Sequence, residues 1–450
     1  MRFTTRFARH LFSIGLALPI LAGYSHAQQV TSPPAVSGNP ATVRITLQEA
    51  MDRARRNSVE FQSAATDAAI AREDRNQARD ALLPSARYEN SGIYTQGNGP
   101  GNPIRFIANN AVHEYISQGN LHESFDLAAL ADSRRAAALS TVARAKQEIA
   151  LRGLVVTVVE SYYGVLAAQQ KLDAASRAAD EGERFFQLTQ NLEKGGEVAH
   201  ADVIKAELQV NDRRRQLRES QLALLNARLD LAVLLFPDFN DKFELIGDLH
   251  ANVPLPTLGE FQQQAGRKNP ELQAALATVR AGDDEVAASR VAYLPSLSFD
   301  YFYGIDATHF ATNTDGVPNL GSSAVATVTV PLWDWGATQS RVKQSELRRT
   351  QSRRELSRAQ RQLLAETQSL YAEANTALDD LASLNRSAEL ATESLRLTNL
   401  RYKGGEATVL EVVDAQNSLL AADSAYQDGA VRYFTALAHL QTLTGELPIP

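Results

Sequence analysis

One stretch of this chain occurs twice, and the duplication limits what the chain can fold into. The first copy reads Leu188-Thr189, Lys194-Gly195-Gly196-Glu197, Asp202-Val203 and Ala206. The second reads Leu397-Thr398, Lys403-Gly404-Gly405-Glu406, Glu411-Val412 and Ala415. A single offset of 209 residues relates them, and it holds without a gap from Tyr162 and Tyr371 to Leu231 and Leu440. In each copy a long helical pattern ends at a Gly-Gly turn and a second one begins. The pattern predicts two αα-hairpins whose tips are the Gly-Gly turns.

An upstream segment recurs as well. Leu47, Ala54, Arg56, Glu60 and Leu83-Pro84-Ser85 match Leu258, Ala265, Arg267, Glu271 and Leu294-Pro295-Ser296 at an offset of 211. A helix is predicted from Thr46-Leu47 towards Leu83, where proline stops it. Beyond each Leu-Pro-Ser the pattern turns aromatic and alternating, at 86–95 and 296–305. Loops follow at 96–103 and 312–321, then second extended runs around 113–125 and 323–331, the former weakened by internal Gln and Asn. This predicts four strands in two hairpins. Proline then vanishes from 104–236 and from 332–447. The stretch from Asp126 to Glu193 predicts one helix of roughly 65 residues, about 100 Å long. Glycines 153, 164 and 182 weaken it by about 1 kcal/mol each without ending it. The returning helix is predicted from Val198 to Leu235.

The start of the chain reads as a secretory signal over residues 1–27: Arg2, Arg6 and Arg9, an apolar run from Leu11 to Gly23, and a small residue at Ala27. A flexible lead-in is expected over 28–45, a first repeat over 46–236, an inter-repeat segment over 237–256, a second repeat over 257–445 and a tail over 446–450. No later apolar run reaches the length of an ordinary spanning helix. Cysteine is absent, which excludes disulfides, a thiolate metal site and a lipid-acceptor cysteine. Without the leader, 42 basic residues face 52 acidic ones, a net charge of −10 that disfavours nucleic acid as a partner. The eight histidines lack metal-ligand spacing, and no nucleophile or phosphate-loop motif occurs, so no metal, cofactor or catalytic residue is expected.

Two strand hairpins leave open edges. In a bilayer such strands have to close into a barrel, because unpaired backbone groups cannot face hydrocarbon. Four are too few, so the chain is expected to supply one segment of a barrel shared around a symmetric ring.

This order of elements resembles the outer-membrane efflux protein family of TolC-like channels. The resemblance rests on the tandem repeats, the two Leu-Pro-Ser junctions, Pro331-Leu332-Trp333-Asp334-Trp335-Gly336 and Tyr402-Lys403-Gly404-Gly405-Glu406, and it spans about Thr46 to Gly445. It implies a mainly α fold with a small β part: long α-helical hairpins forming a periplasmic tunnel, and four strands per chain contributing to a trimeric 12-stranded outer-membrane β-barrel. An equatorial layer would come from the short helices and irregular segments. The implied partners are two further copies of the chain, a periplasmic adaptor (membrane fusion) protein, an inner-membrane transporter and outer-membrane lipid. The implied function is the passive exit duct of a tripartite efflux pump, or the same channel in type I protein secretion. A soluble periplasmic coiled-coil adaptor is the competitor from another class; it would carry one helical hairpin and a compact β-domain rather than two tandem copies.

Helical phase puts Glu411 and Asp414 on one face of the last helix, opposite Val409, Val412 and Val413. Thr408-x-x-Glu411 also fits a capping box, missing in the first copy where Ala199 precedes Asp202. The resemblance implies that Glu411 and Asp414 line the lumen constriction and favour cations. It implies that Asp202 and Tyr402 belong to a latch closing the entrance, with Ala407 where the family has an arginine, and Lys205 or Lys403 as possible substitutes. It implies adaptor docking at Gly195, Gly196, Gly404 and Gly405, whose plainer role is helix C-capping. Trp333 and Trp335 suit either interfacial anchoring or packing at the bend between barrel and tunnel.

Overall fold

The computed structural model describes residues 43–95, 113–237, 242–249, 254–309 and 315–444. The expected signal, most of the lead-in, the loop at 96–103 and the tail lie outside them. The duplication reappears in the element lengths. Helices α1 (Leu47–Asn57) and α5 (Leu258–Lys268) have 11 residues each, and α2 (Val59–Asp80) and α6 (Pro270–Val291) have 22. The long helices α3 (Leu127–Lys194) and α7 (Ala337–Lys403) have 68 and 67 residues, and their return helices α4 (His200–Leu235) and α8 (Val409–Thr444) have 36 each.

The helix expected from 46 to 83 is in fact two. Ser58 has extended backbone; its N–H closes α1 onto Ala54 O at 2.7 Å, and its hydroxyl accepts from Phe61 N at 3.2 Å to open α2. Asn269 does the same between α5 and α6, accepting from Leu272 N at 2.9 Å, with Pro270 in the first helical position. A one-residue cap barely disturbs apolar phase, so periodicity runs straight through it; the cue was the cap chemistry itself.

Four strands form an antiparallel sheet in the order β2-β3-β5-β6: β2 (Ser85–Tyr94), β3 (His113–Phe125), β5 (Ser296–Ala307) and β6 (Leu320–Thr329). The two hairpins expected from sequence are thus joined edge to edge through β3 and β5. The loop expected to last until residue 321 gives way to β6 at Leu320. Register sorts the side chains. Tyr88, Tyr94, Tyr115, Leu121, Phe125, Leu297, Phe299, Tyr301 and Tyr303 share one exposed face. Arg87, Glu89, Gln118, Asn120, His122 and Asp300 share the other, where His122 Nδ1 and Asp300 Oδ1 lie 2.8 Å apart. The Gln and Asn that weakened the β3 pattern therefore belong to a polar face.

Two short strands escaped the sequence reading. β1 (Val43–Ile45) pairs in parallel with β4 (Phe243–Leu245), so the lead-in expected through residue 45 ends in a strand and the inter-repeat segment contains one. Three-residue strands carry too little pattern to be read; only the core they enter makes them stable. That core is the main one, with Ile45, Phe243, Val158, Leu231 and Leu235 each 2 % exposed or less. Each such side chain contributes about 1.5–3 kcal/mol. Tyr162 of α3 ties the ladder in: its hydroxyl lies 3.1 Å from Ile45 O and 2.6 Å from Ile246 O. Burial pushes that hydroxyl's pKa up to about 12, so it stays a donor. Arg152 of α3 donates to Thr442 O and Lys268 O, joining the ends of α8 and α5 to the same layer.

One window of α3 is apolar enough, by length and composition, to cross a membrane, a candidate the sequence reading did not pick out. The helix instead packs sideways on α2, α4, α6 and α8. The packing order beside the sheet is α2-α3-α6-α7, and towards the hairpin tips it is α4-α3-α8-α7. Every layer is an open strip. Its outer helices carry exposed apolar residues on one face: Ile204, Leu208, Leu222 and Leu225 on α4, and Leu390, Leu397 and Leu400 on α7.

Candidate functional site at the hairpin tips

Both hairpins end alike. Gly196 and Gly405 take left-handed backbone, φ +77° and +76°, while Gly195 and Gly404 keep ordinary helical φ. Glu197 N reaches back to Leu192 O, and Glu406 N to Arg401 O, each at 2.9 Å. These are Schellman closures, and they need glycine only at the second position of each pair.

Between the tips lies a small apolar cluster of Phe185, Ala206, Tyr402, Val409 and Val412, with Ala407 packed against it. Tyr402 is 5 % exposed, and its ring centroid is 5.0 Å from that of Phe185. Its hydroxyl is 3.2 Å from Thr189 Oγ1, which itself donates to Phe185 O at 2.9 Å. Burial, and secondarily the charge of Asp202, raise the Tyr402 pKa, so the phenol is neutral and donates. Asp202 instead accepts from Lys205 one turn along α4, at 3.3 Å. The two expected latch residues are therefore close enough to feel each other's charge, but each is bonded elsewhere. Of the two expected substitutes, Lys205 is the one that pairs. Ala407 fills apolar space where an arginine would have to leave it.

Glu411 performs the capping role in full. Its carboxylate accepts from Thr408 N at 3.1 Å, and Thr408 Oγ1 accepts from Glu411 N at 3.3 Å. The first copy has no such cap, since Ala199 offers no side-chain acceptor. Arg401 adds an ion pair across the turn at 3.2 Å and also donates to Glu406 O at 2.9 Å. The Thr408 N–H, more than Arg401, holds the Glu411 pKa below the usual glutamate range. A depressed pKa contributes stability above the unfolded-state value, and that stability is lost as pH falls through the folded one. The protection of the amides in the first turn of α8, measured against the intrinsic exchange rate at each pH, should therefore fall as the pH drops below about 4.3, the ordinary glutamate value. The first turn of α4, which lacks the box, should show no matching change. Asp414 and Ser418 continue the exposed face beyond Glu411.

Three cross-hairpin contacts were not foreseen. Asn399 of α7 donates to Glu181 of α3 at 3.1 Å, and Lys171 of α3 to Asp428 of α8 at 2.6 Å. Arg213 of α4 is 1 % exposed, and its guanidinium donates to the neutral oxygens of Gln216 at 2.8 Å and Asn417 of α8 at 2.7 Å. Gln209 also accepts from it once its amide is turned. Burial lowers the Arg213 pKa. No single-helix pattern reveals such contacts, because the partners lie some 200 residues apart.

A sequence profile described as outer membrane efflux protein matches residues 262–446, nearly the whole second repeat and its hairpin. The chain is similar to the outer membrane efflux protein family over this repeat. Its place is the outer membrane, and it is a transport conduit rather than an enzyme. The alkaline protease secretion protein AprF of Pseudomonas aeruginosa is 25% identical over 408 residues, covering 87% of this chain and 82% of that one. Outer membrane protein TolC of Escherichia coli is 22% identical over 414 residues, 89% of this chain and 82% of its own. The crystal structure of the Campylobacter jejuni CmeC outer membrane channel superposes with a TM-score of 0.76 at 18% identity, over 89% of this chain and 85% of that one. The fold expected from the resemblance, mainly helical with a small β part, is the fold of these channels. At the hairpin tips Tyr402 is held by the apolar cluster and Thr189, while Asp202 pairs with Lys205.

Proposed function

We propose that three copies of this chain form the outer-membrane exit duct of a tripartite efflux pump. The observation that carries this reading is the open strip in every layer. Strands β2 and β6 end the sheet, and α4 and α7 carry exposed leucine faces at the edges of the helical layer. Joining β6 to the next copy's β2, and α7 to the next copy's α2 beside the sheet and to its α4 towards the tips, removes every edge at once. Three copies give twelve strands, whose aromatic face meets lipid and whose polar face lines the lumen. Substrate passes through; an inner-membrane transporter supplies the energy, and a periplasmic adaptor meets the tips at Gly195, Gly196, Gly404 and Gly405. A Cβ added at Gly196 or Gly405 meets no atom within 4 Å, so the tip surface is open to a partner there.

Glu411 and Asp414 of three subunits ring the narrow end and favour cations. Glu411 is partly neutralised by Arg401, so Asp414 supplies most of the selectivity. In planar bilayers Asp414→Asn should lower the cation-to-anion permeability ratio more than Glu411→Gln does. Unchanged selectivity in the double variant would remove the constriction from the account. Detergent-extracted protein with the mass of one subunit and no conductance would remove the duct itself. A second reading, type I protein secretion, draws on the similarity to a protease secretion protein. A deletion strain tested for drug susceptibility and for protein export separates the two.

A further inference from the structure

Helix α7 sorts its cations by direction. Between Ala337 and Leu364 it carries eight basic residues and two acids, in a chain whose net charge is negative. Arg348 and Arg353 reach back to α6, pairing with Glu285 at 2.7 Å and Asp283 at 3.0 Å, and Arg290 of α6 answers Glu346 at 2.7 Å. Lys343, Arg354, Arg358 and Arg361 are exposed and lie, by helical phase, on the side turned away from α6. Among the described residues no carboxylate pairs with any of these four; Arg361 donates to Ser357 Oγ at 3.3 Å. Leu347, 59 % exposed, belongs to the same stripe. A stripe of opposite sign runs along α2, where Glu60, Asp67 and Asp74 recur at a spacing of seven and are exposed. None of these three acids has a basic partner among the described residues either.

The duplication says which residues would meet. Within the chain α3 packs on α6. The repeat offsets carry α3 onto α7 and α6 onto α2, so the same packing between copies sets α7 against another copy's α2. At the foot of the seam inside the chain, Ile149 and Arg152 of α3 line one cavity with Pro270 and Glu271 of α6. Their counterparts are Arg358 and Arg361 on α7, and Val59 and Glu60 on α2. Helix α2 runs towards the sheet and α7 away from it, so each step of seven residues, about 10 Å, keeps both stripes facing. Arg361 then levels with Glu60, Arg354 with Asp67, and Leu347 with Asp74, with Lys343 one turn beyond. The seam inside the chain lacks this pattern: Ala145, the counterpart of Arg354, is 6 % exposed, and Thr278 stands where α2 has Asp67. The repeat therefore packs without these charges. Lipid headgroups are out of reach, because Arg354 and Arg361 lie roughly 25 and 36 Å along α7 from its start beside the sheet. We infer that the basic stripe of α7 and the acidic stripe of α2 are the two halves of a subunit-recognition seam, which accepts a second copy of this chain and rejects a helix of the wrong sign. This rests on the trimer reading above. Exposed ion pairs add little affinity, whereas like charges set opposite each other exclude wrong partners.

The full chain is extracted in detergent, and the trimer fraction is read from unheated gel mobility and from mass. R354E/R361E sets like charges across all three seams and should lower that fraction at least about fivefold. Adding E60R/D67R to the same chain restores the match and should recover it to within about twofold. The chain has no cysteine, so contact can be read directly by oxidation. R354C with D67C should crosslink copies into a covalent trimer, whereas R348C, on the α6 side, with D67C should not. R354E/R361E assembling as well as the natural chain would overturn the seam, and so would a loss that E60R/D67R fails to recover. Trimers that resist the R354C with D67C crosslink would overturn it too, and that arm stands even where the charge-reversed chain fails to fold. Conductance keeps the two readings apart. Conducting trimers with neither crosslink nor charge effect sink the seam only, whereas a non-conducting single subunit sinks the duct.

Discussion

Replacing Tyr402 with alanine should release the α7–α8 hairpin from α3 and α4 at the entrance and raise the conductance of the resting channel. The ring is buried among Phe185, Ala206, Val409 and Val412, so its removal leaves a cavity worth about 3–5 kcal/mol. Tyr402→Phe keeps the ring and loses one neutral hydrogen bond, about 0.5–1.5 kcal/mol. Thr189 retains its own bond to Phe185 O, which softens that loss further. Asp202→Asn should change little, since its partner is the exposed Lys205. Single-channel recordings of the three variants rank the contributions. Equal effects of Tyr402→Phe and Asp202→Asn, both matching Tyr402→Ala, would show a polar latch instead of an apolar one.

Gly304→Val should abolish assembly of the sheet. Gly304 lies in β5 opposite Gln118, at the seam where the two repeats' hairpins meet. A Cβ there would overlap Ser117 O and Gln118 Cα, and it would come within 2.6 Å of Gln118 Cβ, with φ at +157°. Those neighbours are ladder backbone and cannot swing aside, so the cost falls in the exceptional class above about 4–5 kcal/mol. Gly429 makes the contrast. A Cβ there comes 2.6 Å from Leu384 Cδ1, the free end of a flexible side chain, and Gly429→Ala should cost less than about 1.5 kcal/mol. Unheated gel mobility reports the folded assembly, and far-ultraviolet circular dichroism reports the helices. Gly304→Val should lose the first and keep the second; an assembled Gly304→Val channel would refute the seam.

The tips show where reading along the chain succeeds and where it stops. Glu411 and Thr408 are three residues apart, and their capping box was legible because both partners belong to one turn. The Gly-Gly closures were legible for the same reason. Arg401 and Glu411 are ten residues apart across a turn, and their pairing appears only once the turn has folded. Arg213 and Asn417, or Tyr402 and Thr189, share no local pattern; they meet because two hairpins from different repeats pack together. The apolar environment of Ala407 is decided the same way, by helices that approach it from both repeats.

The amino-acid sequence by itself determined the duplication, the long proline-free helices, the four strands and the glycine turns. Each of these is set by periodicity or by backbone preference within a few residues. Tertiary structure alone decided the short parallel ladder held by Tyr162, the seam at Gly304 and the bonding of Tyr402. Those features draw their stability from partners far away in the chain, whose approach is a property of the packed whole and leaves no mark on local pattern.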